Sequence, residues 1–151
     1  MAALLEPAAR ERFTVLGNHC VQSFSKGAFL RAFGQRRSYF SVDRGGIHLV
    51  FLDGCFRKDS RDYDSGDFKW NESAIPAAQR RWLEQDLAAT TLPTLVFCHQ
   101  RLDEPKKLDF AVVARAEIRA ILARSGKVRA VFQGHNHEND LQRIDDVAYV
   151  T

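Results

Sequence analysis

The sequence predicts an α/β fold, and three observations carry that prediction. Short apolar runs suited to strands alternate with longer segments whose apolar residues recur at helical spacing. Three of the apolar runs end in glycine, asparagine or histidine, at the position where open α/β sheets gather their ligands. At 151 residues and 45% hydrophobic content, the chain supports one core and hence a single domain over 1–151.

The elements follow in order. LLEPAARERF reads as the end of a helix containing Leu4 and Leu5, running into a strand at 13–16 and a loop opening Gly17-Asn18-His19. Ser25 is placed to cap a short helix carrying Phe29, Leu30 and Phe33, with Gly34 as its stop. Residues 38–43 and 47–52 bracket Arg44-Gly45-Gly46 and read as a hairpin. The stretch 54–73 has almost no periodicity but holds Tyr63, Phe68 and Trp70. Loops this long are usually functional or disordered, and aromatics among charges favour an ordered loop beside a site.

Pro76 suits the first turn of a helix whose buried stripe is Trp82, Leu83 and Leu87. Residues 94–98 form a short strand ending in His99-Gln100-Arg101. Over 110–125, Ala114, Ile118, Ile121 and Leu122 fall at i, i+4, i+7 and i+8, and Gly126 ends the helix. Strands at 128–132 and 147–150 complete the order, with Asp145-Asp146 as a turn.

Composition narrows the function. The net charge is +3, but Lys and Arg are dispersed, and pairs such as Arg36-Arg37 and Lys106-Lys107 read as solvated faces. That argues against a nucleic-acid partner, which calls for a concentrated basic stripe. Three separated cysteines without a CxxC pair form neither a disulfide framework nor a zinc ribbon, and fit a reducing compartment. The N-terminal stretch lacks the features of a signal peptide, and no apolar run is long enough to span a membrane. The expected location is cytoplasmic, with no membrane partner.

The chemistry-bearing residues cluster at three strand ends: Asn18 and His19, then His99, then His135 and His137. Imidazole nitrogen and amide oxygen together suit zinc, manganese or iron. A lone histidine after a strand is more often simply hydrogen-bonded; three such loops in order point to one crevice. Gly17 and Gly134 would let the backbone approach an ion. Arg101 could face a substrate phosphate through its planar fork, and a surface role is equally compatible. His48, inside a strand, reads as structural or surface, and Asp53 as a hydrogen-bonding partner of neighbouring loops. The tripeptide His135-Asn136-His137 lacks the spacing of an HNH nuclease.

GNH at 17–19, a single histidine at 99 and GHNH at 134–137 resemble the second half of the calcineurin-like metallophosphoesterases. VLGNHCVQSFSK, HLVFLDGCFRKD, FCHQRLD and VFQGHNHEND are similar to bacterial relatives of the manganese-dependent ADP-ribose/CDP-alcohol diphosphatases. The resemblance implies part of a metallophosphoesterase-type α/β sandwich of helices on mixed sheets, lacking its first strand–helix unit. It implies two divalent ions (manganese, iron or zinc): Asn18, His99 and His135 match ligands of one, and His137 a ligand of the other. His19 matches the histidine that sits over the phosphate and protonates the leaving oxygen.

Two departures stand out. Cys20 replaces the acidic residue that steadies that histidine; a thiol is a weak hydrogen-bond partner, and a small buried residue is its simpler reading. The motifs D-x-H and G-D-x-x-D, which carry the bridging carboxylate, do not precede Gly17. The expectation is therefore a fragment, with those motifs encoded upstream of the first codon. The implied function is hydrolysis of a phosphoester or nucleotide-type diphosphate of a phosphorylated small molecule, weak or absent in this chain alone. The alternatives are a non-catalytic remnant, or a metal-binding domain that depends on a partner. A nucleic-acid module is a third, resting on the mild positive charge. Substrate, metal identity and oligomeric state stay open.

Overall fold

In the computed structural model, which describes residues 11–151, the apolar runs pair into one six-stranded sheet. The strands are β1 (Phe40–Arg44), β2 (Ile47–Phe51), β3 (Thr94–Phe97), β4 (Val128–Phe132), β5 (Leu141–Ile144) and β6 (Val147–Val150), in the order β1-β2-β3-β4-β6-β5. β2, β3, β4 and β6 run parallel, so their carboxyl ends share one edge. β1 and β5 are antiparallel flanks, each joined to its neighbour by a two-residue turn. Gly45 and Gly46 have φ of 58° and 79°, and Asp145 and Asp146 have 50° and 63°. Positive φ at both central residues gives a turn whose twist matches that of the strands, and Gly and Asp tolerate it best.

Three helices follow the expected patterns: α1 (Lys26–Ala32), α2 (Ala77–Ala89) and α3 (Arg115–Ser125). Ser25 Oγ accepts from the Ala28 N–H at 3.1 Å, capping α1. Gly126 closes α3 with φ of 66°. Leu83 and Leu87 of α2 and Ile118, Ile121 and Leu122 of α3 pack with Val50, Val96, Val131 and Tyr149 of the sheet in the main core. On the opposite face, Phe40, Phe51, Phe97 and Phe132 align in register across four strands, with adjacent ring centroids 4.7, 5.1 and 5.3 Å apart. Phe132 there is 39% exposed, and Leu141, at the end of the row, 70%.

A second, smaller core of Leu16, Val21, Phe29, Cys55 and Tyr63 lies under the long loop. Lys26 holds that loop in place. Its buried ammonium donates to Asp53 Oδ2 at 2.7 Å, Asp62 Oδ1 at 2.6 Å and the Cys55 carbonyl at 2.9 Å, with the Phe56 ring 3.6 Å away. A charge this deep is tolerated because all three donors are used. Asp53, fully buried, is thereby occupied by Lys26 and the Cys55 N–H. The loop is ordered, as its aromatics suggested.

Several expectations are corrected. Residues 13–16 form no strand. The Thr14 N–H donates to Gln35 Oε1 and the Thr14 carbonyl accepts from Gln35 Nε2, so a side chain takes the place of a ladder. The third helix begins at Arg115 rather than 110, after a short turn at Leu108–Phe110. Arg101 N–H donates to the Phe110 carbonyl and Val112 N–H to the Arg101 carbonyl, drawing 110–112 into extended pairing. β5, LQRI, was not anticipated, because its exposed edge carries polar residues rather than an apolar run. The helix expected around Leu4 and Leu5 lies outside the described residues. No helix among the described residues is long and apolar enough to cross a membrane.

Candidate metal centre

The parallel strands deliver two of the three histidine-bearing loops to one edge of the sheet. β3 leads into His99 and β4 into Gln133-Gly134-His135. The loops are stitched together by the Gly134 N–H, which donates to the His99 carbonyl at 3.0 Å. Asn18 and His19 come from a 3-10 turn, Asn18–Val21, anchored by the fully buried Val21. Gly17 lies extended against the His99 ring; a Cβ there would meet ring atoms at 3.0–3.1 Å. Its small size serves close approach of the ring. Gly134 has no such role, since a Cβ there would find only the His99 carbonyl at 3.8 Å.

Asn18 Oδ1 is 3.0 Å from His99 Nε2, and His99 Nε2 is 3.2 Å from His135 Nδ1. One proton on His99 Nε2 cannot serve both contacts. His135 Nε2 is buried with no hydrogen-bond partner, as is Asn136 Oδ1. Buried polar atoms left this way are costly and rare. Ligand atoms about 2.1 Å from a divalent ion lie about 3.0–3.4 Å from one another, so the observed spacings fit a cation shared by Asn18, His99 and His135. The set is two imidazoles and an amide; among the described residues, no three His, Cys, Asp or Glu side chains form a metal-binding group.

Burial keeps the imidazoles neutral, the state a ligand needs. His99 is pushed down to about 4 by burial and then by the neighbouring His135, His19 and His137. His135 is also lowered, first by burial, with the Trp70 backbone opposing and His137 reinforcing. Both His135 and His137 hold left-handed backbone, with φ of 78° and 57°. Non-glycine residues in that region cost about 1–3 kcal/mol where the conformation is strained, and such residues gather at functional sites.

Surrounding architecture holds this loop. Gln133 accepts from the Leu102 N–H and donates to Thr151 Oγ1, while Asp140 and Thr151 exchange backbone hydrogen bonds. Arg101, for which a phosphate contact and a surface role were equally compatible, takes neither place and belongs to this scaffold. It is 1% exposed, and its guanidinium binds Asp103 at 2.8 and 2.5 Å and Asp140 at 2.6 Å. Its donors face carboxylates, away from the cleft.

Above the imidazoles lies a cleft of about 550 Å³ lined by Asn18, His19, Gln22, Phe68, Trp70 and Phe110 together with residues 135–137. His19 and His137 thus share one cleft with Asn18 and His135, while His99 faces a separate hollow beside Val15, Phe97 and Gly134. Trp70 and Phe110 pack 5.3 Å apart and flank the His135 ring at 6.0 and 5.5 Å. Among the described residues, no carboxylate lines the cleft. Asp67 is turned outward to Arg57, and Asp53 is held by Lys26. The wall residues Phe68 and Trp70 were signalled by aromatics in a polar loop; Phe110 was hidden in an apparent helix, and Gln22 gave no signal. Cys20 is half-buried against the smaller core, and His48 is buried between Asp43 and Asp86, outside the cleft.

No protein-family profile and no curated protein matches the sequence. Among solved structures, the chain is similar to the crystal structure of a dimetal phosphatase from Danio rerio, at 15% identity and a TM-score of 0.80. The match covers 99% of this chain and 62% of that one. The fold is therefore a mixed α/β fold corresponding to part of a metallophosphoesterase-type structure, in agreement with the fold the sequence motifs implied.

Proposed function

We propose that this chain carries part of the metal centre of a phosphoesterase that hydrolyses a phosphoester or nucleotide-type diphosphate of a phosphorylated small molecule. The convergence of Asn18 Oδ1, His99 Nε2 and His135 Nδ1 at 3.0 and 3.2 Å supports the reading most. In it, these three residues hold one divalent ion (manganese, iron or zinc) and His137 contributes to a second. Paired ions of this kind neutralise charge on a phosphoryl group and supply a water nucleophile near neutral pH.

The chain's own residues do the rest. His19, at the wall of the cleft, carries a proton for the leaving oxygen. Phe68, Trp70 and Phe110 give the cleft an apolar side that excludes water from the reacting phosphate. Burial favours the neutral forms of His99 and His135, which keeps their lone pairs available to an ion.

That no carboxylate among the described residues lines the cleft favours a second reading. It is a metal-binding domain without catalysis of its own, completed by carboxylates from elsewhere. Hydrolysis of bis-p-nitrophenyl phosphate with manganese separates the two. Turnover by the purified chain, lost in His19→Ala, supports catalysis by these residues alone. Metal binding without turnover supports the second reading.

A further inference from the structure

We propose that Gln22 is a positioning residue for His19, fixing the imidazole with its proton on Nδ1 and its Nε2 turned to the cleft. The inference rests on the reading of His19 as the group facing the leaving oxygen, but its geometry stands independently. His19 Nδ1 lies 2.8 Å from Gln22 Oε1, the one hydrogen bond of that ring among the described residues. The spacing follows from local structure. A 3-10 turn has three residues per turn, so side chains at i and i+3 stand one above the other. The turn Asn18–Val21 therefore stacks residue 22 on residue 19, and the Gln22 N–H also closes back on the His19 carbonyl at 3.4 Å.

Both side chains are exposed at the cleft wall, so little else restrains the ring. The backbone beneath them is firmly held. Val21 is fully buried in the smaller core, and its carbonyl accepts from the Gly66 N–H at 3.1 Å. Gly66 sits so close that a Cβ there would reach the Gln22 carbonyl at 3.0 Å. The long loop thus clamps Gln22 from behind and leaves its amide to meet the imidazole.

The position next to His19 is Cys20, which is half-buried against the smaller core and makes no hydrogen bond to the ring among the described residues. Gln22 supplies from three positions on what the adjacent residue does not. An amide oxygen accepts the Nδ1 proton, and the tautomer of a histidine is set by the bond its other nitrogen makes. When the imidazolium gives its Nε2 proton to a leaving oxygen, the neutral product is the Nδ1–H tautomer. That is the form Gln22 already holds.

Long-range proton–nitrogen correlation NMR of the full chain, at a pH where ordinary imidazoles are neutral, reads the tautomer directly; His19→Ala identifies the His19 signals. The expected result is an Nδ1–H ring in the native chain. In Gln22→Ala it switches to the Nε2–H form that free histidine prefers, and in Gln22→Glu, which keeps the acceptor, it is restored. A native ring protonated on Nε2, or a tautomer unchanged in Gln22→Ala, would overturn the proposal. The readout needs neither metal nor turnover, so an inactive chain would count against the phosphoesterase reading alone.

Discussion

His99 Nε2 and Asn18 Oδ1 meet at 3.0 Å across 81 positions of the sequence, and Gly17 makes that meeting possible. Because a Cβ at Gly17 would press on the His99 ring at 3.0 Å, Gly17→Ala must displace either the ring or the turn. Overpacking of this kind costs about 1–3 kcal/mol. Thermal unfolding should show that loss, and manganese affinity should fall with it. Gly134→Ala, whose Cβ would meet only the His99 carbonyl at an ordinary 3.8 Å, should leave metal affinity within about twofold.

Arg101 distinguishes scaffold from substrate contact. Replacing it by Met leaves Asp103 buried and uncompensated, and breaking a buried pair costs about 3–5 kcal/mol. Denaturant unfolding should register that loss. Asp140→Asn, at a position 37% exposed, should cost far less. An Arg101→Met protein of native stability would return the residue to the cleft.

His48 sets a pH dependence. Burial works against its charged form, but the hydrogen bonds its ring donates to Asp43 at 2.6 Å and Asp86 at 2.9 Å outweigh this, and its pKa is raised. A group whose folded pKa is raised contributes stability fully below its unfolded value, about 6.5, and loses it as pH climbs through the folded value. His48→Gln should therefore be less stable than the native chain by about 1–3 kcal/mol at pH 6, with the gap closing at higher pH. Melting temperatures across that range check this; a gap that widens with pH contradicts it.

The phenylalanine row leaves an apolar sheet face partly open to solvent. Such patches bind hydrophobic dyes and promote association. Phe132→Lys and Leu141→Lys should lower the fluorescence of bound anilinonaphthalene sulfonate and raise solubility, with little change in melting temperature.

Much of this was legible in the sequence, for identifiable reasons. The i, i+4, i+7 pattern around Ile118 and the glycine turn are local signals that specify the body of α3 and the first hairpin; the aspartate turn was also legible, but not the polar β5 strand that enters it. His99 and His135 lie at one edge because β3 and β4 are parallel and share a carboxyl end, whereas Asn18 reaches them from a 3-10 turn with no strand behind it. What escaped depends on distant partners. Residues 13–16 have the pattern of a strand, but Gln35 takes their backbone bonds. Arg101, two residues after His99, read as a phosphate contact or a surface residue because Asp140, 39 residues away, could not be seen beside it. Gln22 was overlooked because its role arises from the pitch of a single 3-10 turn.

The central claim is that Asn18, His99 and His135 form a metal site, and calorimetric titration of the purified chain with manganese or zinc tests it most directly. The account predicts binding at one site, lost in His99→Ala and His135→Ala and retained in His48→Ala, whose ring lies outside the cleft. Binding that survives both His99→Ala and His135→Ala, or that disappears with His48, would contradict it.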